Sequence, residues 1–425
     1  MSFDRQTLFE LLPAIHRTRD AELARAHGLE RGPLEELVGV LAEQINVAEE
    51  SLDQLYDDLF IETCADWVVP YIGDLIGYES LHPVTSKVAS PRAEVAHTIA
   101  LRRRKGTALV LEQLARDVTG WDARAVEYFQ RILTTQYMNH PRLHNHQSPD
   151  LRQSEAMEWI DTPFETANRT VDVRRVESAR GRHNIPNVGL HLWRIQAYPR
   201  RASAAFHAGP RRYRFSPLNH DLPLYNRPRA EDDISHLAEP DNVPWPLTRQ
   251  RLALHLRRYY GVASADPLNT QIPSLLLNVD GSSVPYTNIL VCDLRDDGAD
   301  WAHTPPADGL YAIDPVLGRI ALPMDAADPA EVRVTWHEGF SADIGGGEYE
   351  RGPSLPTLSA QPPPILVPTE QPTIAAALTA LDGNGVIEIT YSSRYQETLS
   401  IQIIEVGAVE IRARNGRRPV LALSG

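Results

Sequence analysis

Apolar residues near the amino end recur at alternating steps of four and three, the heptad pattern of a helix that packs along other helices. Gly32 and Pro33 stand directly before the pattern, in the order typical of a helix start. The sequence therefore predicts one long helix with an apolar seam along it. This heptad seam consists of Leu34, Val38, Leu41, Ile45, Ala48, Leu52, Leu55 and Leu59.

The flanks of the same helix are acidic, and no Lys or Arg occurs between Gly32 and Ser86. Like charges on one helix repel each other, so an acidic helix without local cations gains nothing from ion pairs along itself. We expect the complement to come from another polypeptide or from a distant segment. The alternative is a long hairpin helix that buries its seam within its own domain. The acidic flank consists of Glu35, Glu36, Glu43, Glu49, Glu50, Asp53, Asp57 and Asp58.

Helical patterns continue to about residue 135. Thr7 and Glu10 have the spacing of a capping box that opens a short first helix. Gly120 is placed as a C-terminal cap. The further predicted helices are Ala14–Ala26, a short amphipathic stretch within Trp67–Gly77, Arg92–Arg104, Thr107–Val118 and Arg124–Leu133.

From about residue 170 the hydrophobic period changes to that of strands, separated by turn clusters. One helix, Thr248–Tyr259, interrupts them, which favours an α+β or mostly-β domain over a βαβ series. The predicted strands are Val171–Val176, Leu190–Tyr198, Tyr213–Phe215, Leu275–Val279, Leu290–Asp293, Arg319–Leu322 and Val332–Trp336.

A proline-rich stretch, Gly352–Pro372, predicts an extended spacer. An amphipathic helix ending near Leu381 follows it, and short, evenly spaced strands come next, as at the entry to a parallel β-helix. A solenoid needs several rungs and a cap at each end, so we expect either a longer natural chain or another molecule over the last rung. The predicted strands are Val386–Thr390, Leu399–Ile403, Ala408–Ala413 and Pro419–Leu423.

Together these patterns predict a multidomain α+β protein with an N-terminal helical bundle or coiled coil, a mostly-β middle domain and the start of a parallel β-helix. The predicted boundaries are 1–65 for the core-bundle helices, 66–170 for a helical junction, 171–351 for the middle domain, 352–372 for the linker and 373–425 for the β-helix. With 425 residues and 42% hydrophobic content, the chain is long enough for several such cores.

Charge and cysteine content narrow the function classes. A net charge of −14 argues against nucleic acid as a partner, because phosphate binding needs a basic surface. Cys64 and Cys292 are too few and too distant for a disulfide framework, which fits a reducing compartment. The chain shows neither a secretory signal nor an apolar run of membrane-spanning length. We therefore predict a soluble protein made in the cytoplasm, without membrane insertion.

The sequence contains no nucleophile elbow, phosphate loop, dinucleotide fingerprint or zincin helix, and we predict no enzyme activity and no cofactor. Two groups of residues merit consideration nonetheless. His140, His144 and His146 have spacings that a metal could use, or they belong to a solvated polar loop. The acidic runs Glu231–Asp233 and Asp296–Asp297 could serve as acid/base pairs, although their Pro- and Gly-rich surroundings favour turn residues.

Four segments resemble a known family. Leu12–Asp20 and Glu62–Gly77 resemble a baseplate protein of contractile injection systems, and Arg102–Thr107 through Gly120–Trp121 resembles the equivalent stretch of phage tail protein I. Trp336–Tyr349 resembles the larger wedge subunit of extracellular phage-tail-like particles, the antifeeding prophage and Photorhabdus virulence cassette type. Members of that family typically continue well past the β-helix entry.

The resemblance implies a structural wedge protein that joins two copies of a smaller wedge protein through a helical core bundle. Carried over to this chain, the bundle is the heptad helix, and Trp67 to Leu133 form the junction where the chains separate. The resemblance also implies contacts with neighbouring wedges, the central hub and spike, sheath-proximal baseplate proteins and tail fibres. Cytoplasmic assembly into a contractile particle follows from it. The junction residues are Trp67, Tyr71, Ile72 and Leu75.

A second function class stays open. A β-helix can host a polysaccharide lyase or hydrolase, whose carboxylates line one concave face. The alternative function is therefore a carbohydrate-binding or carbohydrate-cleaving tail or fibre protein that uses the C-terminal β-helix.

Overall fold

The computed structural model describes residues 4–79, 90–135, 137–140, 152, 154–175, 181–230, 236–261, 273–303, 305, 308–342, 347–348, 350, 363–381, 383–401 and 408–423. The chain divides into two compact units, Met1–Gly120 and Trp121–Gly425. The described elements of the first unit are helices, whereas strands dominate the second. The protein is a mixed α+β chain that ends in a parallel β-solenoid.

Glycines end two helices of the first unit, and a threonine side chain caps the start of one of them. Gly28 and Gly120 both adopt the left-handed conformation, which terminates the preceding helix. The Thr107 hydroxyl accepts a hydrogen bond from the Val110 N–H at the start of the helix that Gly120 ends. The helices are α1 Arg5–Glu10, α2 Ala14–His27, α3 Pro33–Asp57, α4 Val69–Leu75, α5 Arg92–Arg103 and α6 Ala108–Thr119.

The predicted capping box at the first helix is wrong. Helix α1 begins at Arg5, with Asp4 in the N-cap position, so Thr7 lies inside the helix. A capping box requires its threonine to precede the first helical residue, and the helix starts too early for that.

A small apolar core holds α4 against α5. It contains Cys64, Val68, Val69 and Val95. The Arg92 guanidinium closes one side of it by donating to the main-chain carbonyls of Ile61 and Cys64, both at 2.6 Å. These bonds satisfy carbonyls that no helix ladder reaches.

Two sheets form the centre of the second unit. One has five strands in the order β4-β5-β12-β11-β8 and the other has four in the order β3-β13-β6-β7. Neighbouring strands are antiparallel except β11 and β8. The strands are β1 Asp122–Glu127, β2 Val188–Trp193, β3 Gln196–Ala204, β4 Phe206–Gly209, β5 Arg212–Arg214, β6 Leu276–Val279, β7 Ser282–Ser283, β8 Ile289–Val291, β9 Asp296–Asp297, β10 Asp300–Trp301, β11 Tyr311–Asp314, β12 Arg319–Ala321 and β13 Val332–Phe340.

One hydrophobic core joins the two sheets. Trp336 of β13 is buried in the same cluster as Ile313 of β11 and Ile320 of β12. Three short helices accompany the sheets: α7 Ser154–Glu158, α8 Arg249–Leu254 and α9 Leu256–Tyr259. Leu252 and Tyr259 extend the core onto α8 and α9.

Several predicted elements of this unit are wrong. Arg124–Leu133 is not a helix, because β1 occupies its first part and pairs antiparallel with β2, and a 3-10 turn, Tyr128–Arg131, follows. Residues 171–175 form no strand. The strand predicted over Leu190–Tyr198 is divided between β2 and β3. The helix predicted over Thr248–Tyr259 is interrupted at His255 between α8 and α9.

The C-terminal region is a parallel β-solenoid. Strands β14 Ile365–Val367, β15 Gly385–Ile389 and β17 Val409–Ala413 stack in parallel, and β16 Arg394–Glu397 stacks in parallel on β18 Val420–Leu423. Helix α10, Ile374–Leu381, packs its buried side chains against this interior. The start of a β-helix was thus predicted correctly from its strand spacing.

Two details of the solenoid differ from the sequence prediction. Strand β14 lies inside the stretch that was predicted as an extended spacer, because its three apolar residues pair with β15. The described residues of the strand predicted at Leu399–Ile403 form no strand, and β16 lies just before them.

Candidate functional site

Helix α3 carries seven of the eight predicted seam residues, because it ends at Asp57 and Leu59 lies in the turn that follows. The start of α3 is fixed by helix α2. Gly32 takes the N-cap position and Pro33 the first helical position, but neither offers a capping side chain. The Asp20 carboxylate supplies the cap instead, accepting the N–H groups of Leu34 at 2.8 Å and Glu35 at 3.0 Å. Two of the N–H groups that a helix start leaves unbonded are thereby satisfied by a buried acid on α2.

The same chain covers only the beginning of α3. Helices α1 and α2 both contact α3, whose buried residues are Val38, Gly39 and Ala42. The Arg5 side chain lies so close to Gly39 that an added Cβ there would come within 2.5 Å of the Arg5 Nε. Arg5 also pairs with Glu36 at 3.8 Å. Intrachain packing therefore uses a narrow face of small residues in the first half of the helix.

Most of the heptad seam is left exposed. Leu34 is half-buried and Val38 is buried, but the other six seam residues are all solvent-exposed. Leu52 is 67% exposed and Leu59 is 70% exposed, which is unusual for leucines in one continuous row. These six residues, from Leu41 to Leu59, are called the open seam below.

Further apolar residues widen this face beyond the open seam. Leu37, Val40, Val47 and Tyr56 are also exposed on α3. The heptad analysis missed them because it followed only the seam positions. Leu37 and Tyr56 occupy the g and e positions directly beside the seam, and their apolar identity there was a signal that could have identified them. Val40 and Val47 occupy c positions, farther around the helix, which a heptad seam does not predict to be apolar.

Negative charge borders the exposed face. Glu43, Glu50 and Asp53 form no ion pair within the part of the chain that the structure describes. Arg5 pairs with Glu36, and Arg31 pairs with Glu35 and Glu36, all in the first turn of α3. The later turns of α3 thus present apolar side chains beside the carboxylates of Glu43, Glu50 and Asp53, which no described cation pairs. Such a surface suits an apolar partner with a basic border.

Three of the four predicted junction residues form an exposed row. Trp67, Tyr71 and Leu75 are spaced four apart and all face solvent, and Trp67 is 68% exposed. The Trp67 and Tyr71 rings meet edge to face with their centroids 6.2 Å apart. Ile72 is half-buried and packs into the core between α4 and α5 instead.

The candidate metal-binding histidines cannot be compared as a set, since His144 and His146 lie outside the described residues. His140 is exposed, and its ring centroid lies 5.7 Å from that of Tyr137. Over the described ranges, no group of three or more His, Cys, Asp or Glu side chains is arranged to hold a metal ion.

The candidate acid/base residues have different surroundings from those expected of a catalytic pair. The Asp296 carboxylate accepts a hydrogen bond from Arg319 at 2.6 Å, which lowers the pKa of Asp296. Asp297 is its exposed neighbour on strand β9. Asp296 is therefore a partner of Arg319, whereas Glu231–Asp233 falls outside the described residues.

Comparison with known proteins found no matching family, no similar curated protein and no similar solved structure. Within the described ranges, every helix is too short or too polar to span a membrane. The exposed face of α3, with its row of solvent-exposed apolar side chains, is the feature of the described structure that bears on function.

Proposed function

We propose that this chain is a non-catalytic structural subunit of a multi-protein assembly, and that the open seam on α3 is its docking surface. The observation that carries the proposal is the exposure of the seam leucines from Leu41 to Leu59. Burying a leucine side chain fully contributes about 1.5–3 kcal/mol. Leu41, Leu52, Leu55 and Leu59 are between 52% and 70% exposed, so together they leave on the order of 4–8 kcal/mol unused in the isolated chain. A partner helix would recover that free energy.

The proposed assembly is the baseplate of a contractile injection system, assembled in the cytoplasm, with this chain as the larger wedge subunit. The resemblance of four segments supports this assignment, and the acidic border of α3 fits a partner with basic flanks. The proposed partner on α3 is the smaller wedge protein, in two copies. Whole-domain movement of such wedges would couple rearrangement at the tip to sheath contraction.

The alternative is a carbohydrate-active or carbohydrate-binding role for the β-solenoid. Glu388 of β15 lies opposite Arg412 of β17, and Glu410 lies two residues before Arg412 on the same strand. Both carboxylates are ion-paired with that arginine, Glu388 at 3.2 Å and Glu410 at 3.6 Å. Carboxylates engaged in this way are poorly placed for acid/base work on a glycosidic bond. Glycan cleavage or binding by the solenoid would favour the alternative.

The test is co-expression of the full chain with the proposed smaller wedge protein from the same source. We expect a stable complex with the wild-type chain and none with the Leu41→Asp/Leu52→Asp variant, because two buried carboxylates would have no partners. The fluorescence of the buried tryptophans in the second unit should not change, since the substitutions lie in the first. Size-exclusion chromatography with light scattering measures the association.

The chain offers a matched control. Leu218 and Leu254 are similarly exposed leucines in the second unit. The Leu218→Asp/Leu254→Asp variant should associate normally. If the α3 variant also associates normally, or if both variants lose the complex, the open seam is not the docking surface. Sheath, tube and spike genes beside this one would support the baseplate assignment, and their absence would count against it.

A further inference from the structure

The exposed row of Trp67, Tyr71 and Leu75 lies on a different helix from the open seam. Trp67 lies in the turn that leads into α4, and Tyr71 and Leu75 follow on the helix. The opposite side of α4, with Val69 and Gly73, is buried. The row is therefore the solvent face of a helix whose other face is already packed.

The aromatic pair has a geometry that suits a cation better than a flat ligand. The planes of Trp67 and Tyr71 are inclined at 79°. Two rings at nearly right angles form a corner with two π faces, whereas a sugar stacks on one flat platform. The π face of an aromatic ring attracts an ammonium or guanidinium group.

A carboxylate accompanies the aromatic corner. Asp74 lies three residues after Tyr71 on α4, which places it on the same face of the helix as Tyr71. Asp74 is exposed, and its carboxylate has no hydrogen bond or ion pair within the part of the chain that the structure describes. Trp67 and Tyr71 likewise leave the indole N–H and the phenol hydroxyl without a partner there.

The arginines of α5 that reach this region are already engaged. Arg92 donates to the carbonyls of Ile61 and Cys64 and to the Asp66 carboxylate. Arg102 donates to the carbonyls of Ile76 and Gly77. Neither Arg92 nor Arg102 therefore supplies a cation to the Trp67 and Tyr71 rings.

We infer that Trp67, Tyr71 and Asp74 form a recognition site for an arginine side chain of a partner protein, with Leu75 contacting an apolar residue beside that arginine. The guanidinium stacks on the aromatic faces and pairs with the Asp74 carboxylate. Arginine is the preferred occupant because its planar fork both stacks and binds a carboxylate. This inference does not depend on the proposal for α3.

The test uses the full chain labelled with 5-fluorotryptophan and observed by fluorine NMR. Trp67 is the one tryptophan among the seven that is exposed, and the Trp67→Phe variant assigns its resonance. The probe is a helical peptide that carries one arginine with a leucine four residues later. Its twin has the neutral isostere citrulline in place of the arginine.

We expect the arginine peptide to shift the Trp67 resonance and the citrulline twin to bind about fivefold more weakly, the value of one cation–π contact. Asp74→Asn should weaken binding of the arginine peptide by a similar factor and leave the affinity for the citrulline peptide unchanged. Tyr71→Ala should lose binding, whereas Tyr137→Ala, at a comparably exposed tyrosine of the second unit, should not.

Three results would overturn the inference: no shift of the Trp67 resonance, equal affinity for both peptides, or equal behaviour of the two tyrosine variants. All four substituted side chains are exposed, so loss of folding does not explain a loss of binding. Far-UV circular dichroism of each variant verifies this.

Discussion

The Asp20 carboxylate occupies the space that a side chain at position 32 would need. A Cβ added to Gly32 would lie 2.2 Å from the Asp20 Cγ, well inside van der Waals contact. The same carboxylate bonds the first N–H groups of α3. One acid in the middle of α2 thus fixes the start of α3, and glycine at position 32 is what allows the acid to approach.

Replacing Gly32 with alanine should therefore destabilise the first unit. The new Cβ displaces the Asp20 carboxylate and removes the cap, at a cost of about 1–2 kcal/mol. Asp20→Ala should lower the free energy of unfolding by about the same amount. The double variant should lose little more, because both substitutions remove the same interaction, the Asp20 cap on α3. Urea unfolding followed by far-UV circular dichroism measures the loss of helix. Glu22→Ala, at an exposed acid on α2, is the control, and a Gly32→Ala variant as stable as this control would refute the account.

Arg319 is the most heavily bonded cation of the second unit's core. Its buried guanidinium donates to Asp221, to Asp296 and to the Leu294 carbonyl, and it lies 5.0 Å from the Trp301 ring centroid. Arg319→Lys keeps the charge but cannot make this set of bonds, so we expect a loss of about 2–3 kcal/mol.

Tryptophan fluorescence during urea unfolding reports this loss, since six of the seven tryptophans lie in the second unit. The matched change Arg295→Lys, at an exposed arginine of the same region, should stay within about 0.5 kcal/mol of wild type. A similar small effect for Arg319→Lys would show that the bonds contribute little to folding.

Glu348 makes the stability of the second unit depend on pH. Burial raises the pKa of this carboxyl from 4.5 to about 7, although the positive charges of Arg201 and Arg417 oppose the shift. The folded chain therefore holds the Glu348 proton more tightly than the unfolded chain. This contribution to stability is fully present below the pKa that Glu348 has in the unfolded chain. It is lost as the pH rises through the pKa that Glu348 has in the folded chain.

Between about pH 6 and about pH 8, the free energy of unfolding of the wild type should fall by about 1 kcal/mol relative to that of Glu348→Gln. The glutamine keeps an acceptor for the Arg201 N–H but cannot ionise. His337 titrates in the opposite sense, because burial lowers its pKa to about 4, but it is common to both proteins and cancels. Urea unfolding at the two pH values measures the difference. If the free energies of unfolding of the wild type and Glu348→Gln change equally with pH, Glu348 has the same pKa in the folded and the unfolded chain.

Local sequence signals predicted the elements that local chemistry determines. Pro33 and Gly120 marked a helix start and a helix end correctly, because a fixed φ and a left-handed cap depend on the residue itself. Three of the solenoid strands, β15, β17 and β18, were also predicted from their spacing. Strand β1 was missed because its pairing partner, β2, lies more than sixty residues away, and that pairing outweighed helical propensity.

The candidate surface was predicted only in part for the same reason. The heptad pattern identified the seam residues of α3, but it gave no sign that α1 and α2 cover Val38 and Ala42 while Leu41 stays exposed. Which part of a seam is buried depends on contacts between helices, and the Asp20 cap that sets those contacts spans a loop. The predicted coiled coil with other chains stays a prediction.

The most direct measurement of the central claim is thiol labelling of a Leu52→Cys variant, alone and in complex with the smaller wedge protein. The native thiols interfere little, since Cys64 is buried and burial raises the pKa of Cys292 to about 12. We predict rapid labelling in the isolated chain and labelling slower by more than about tenfold in the complex, where an interface core excludes solvent. Equal labelling in both, or protection of the new thiol in an isolated monomer, would contradict the claim that the open seam binds another chain.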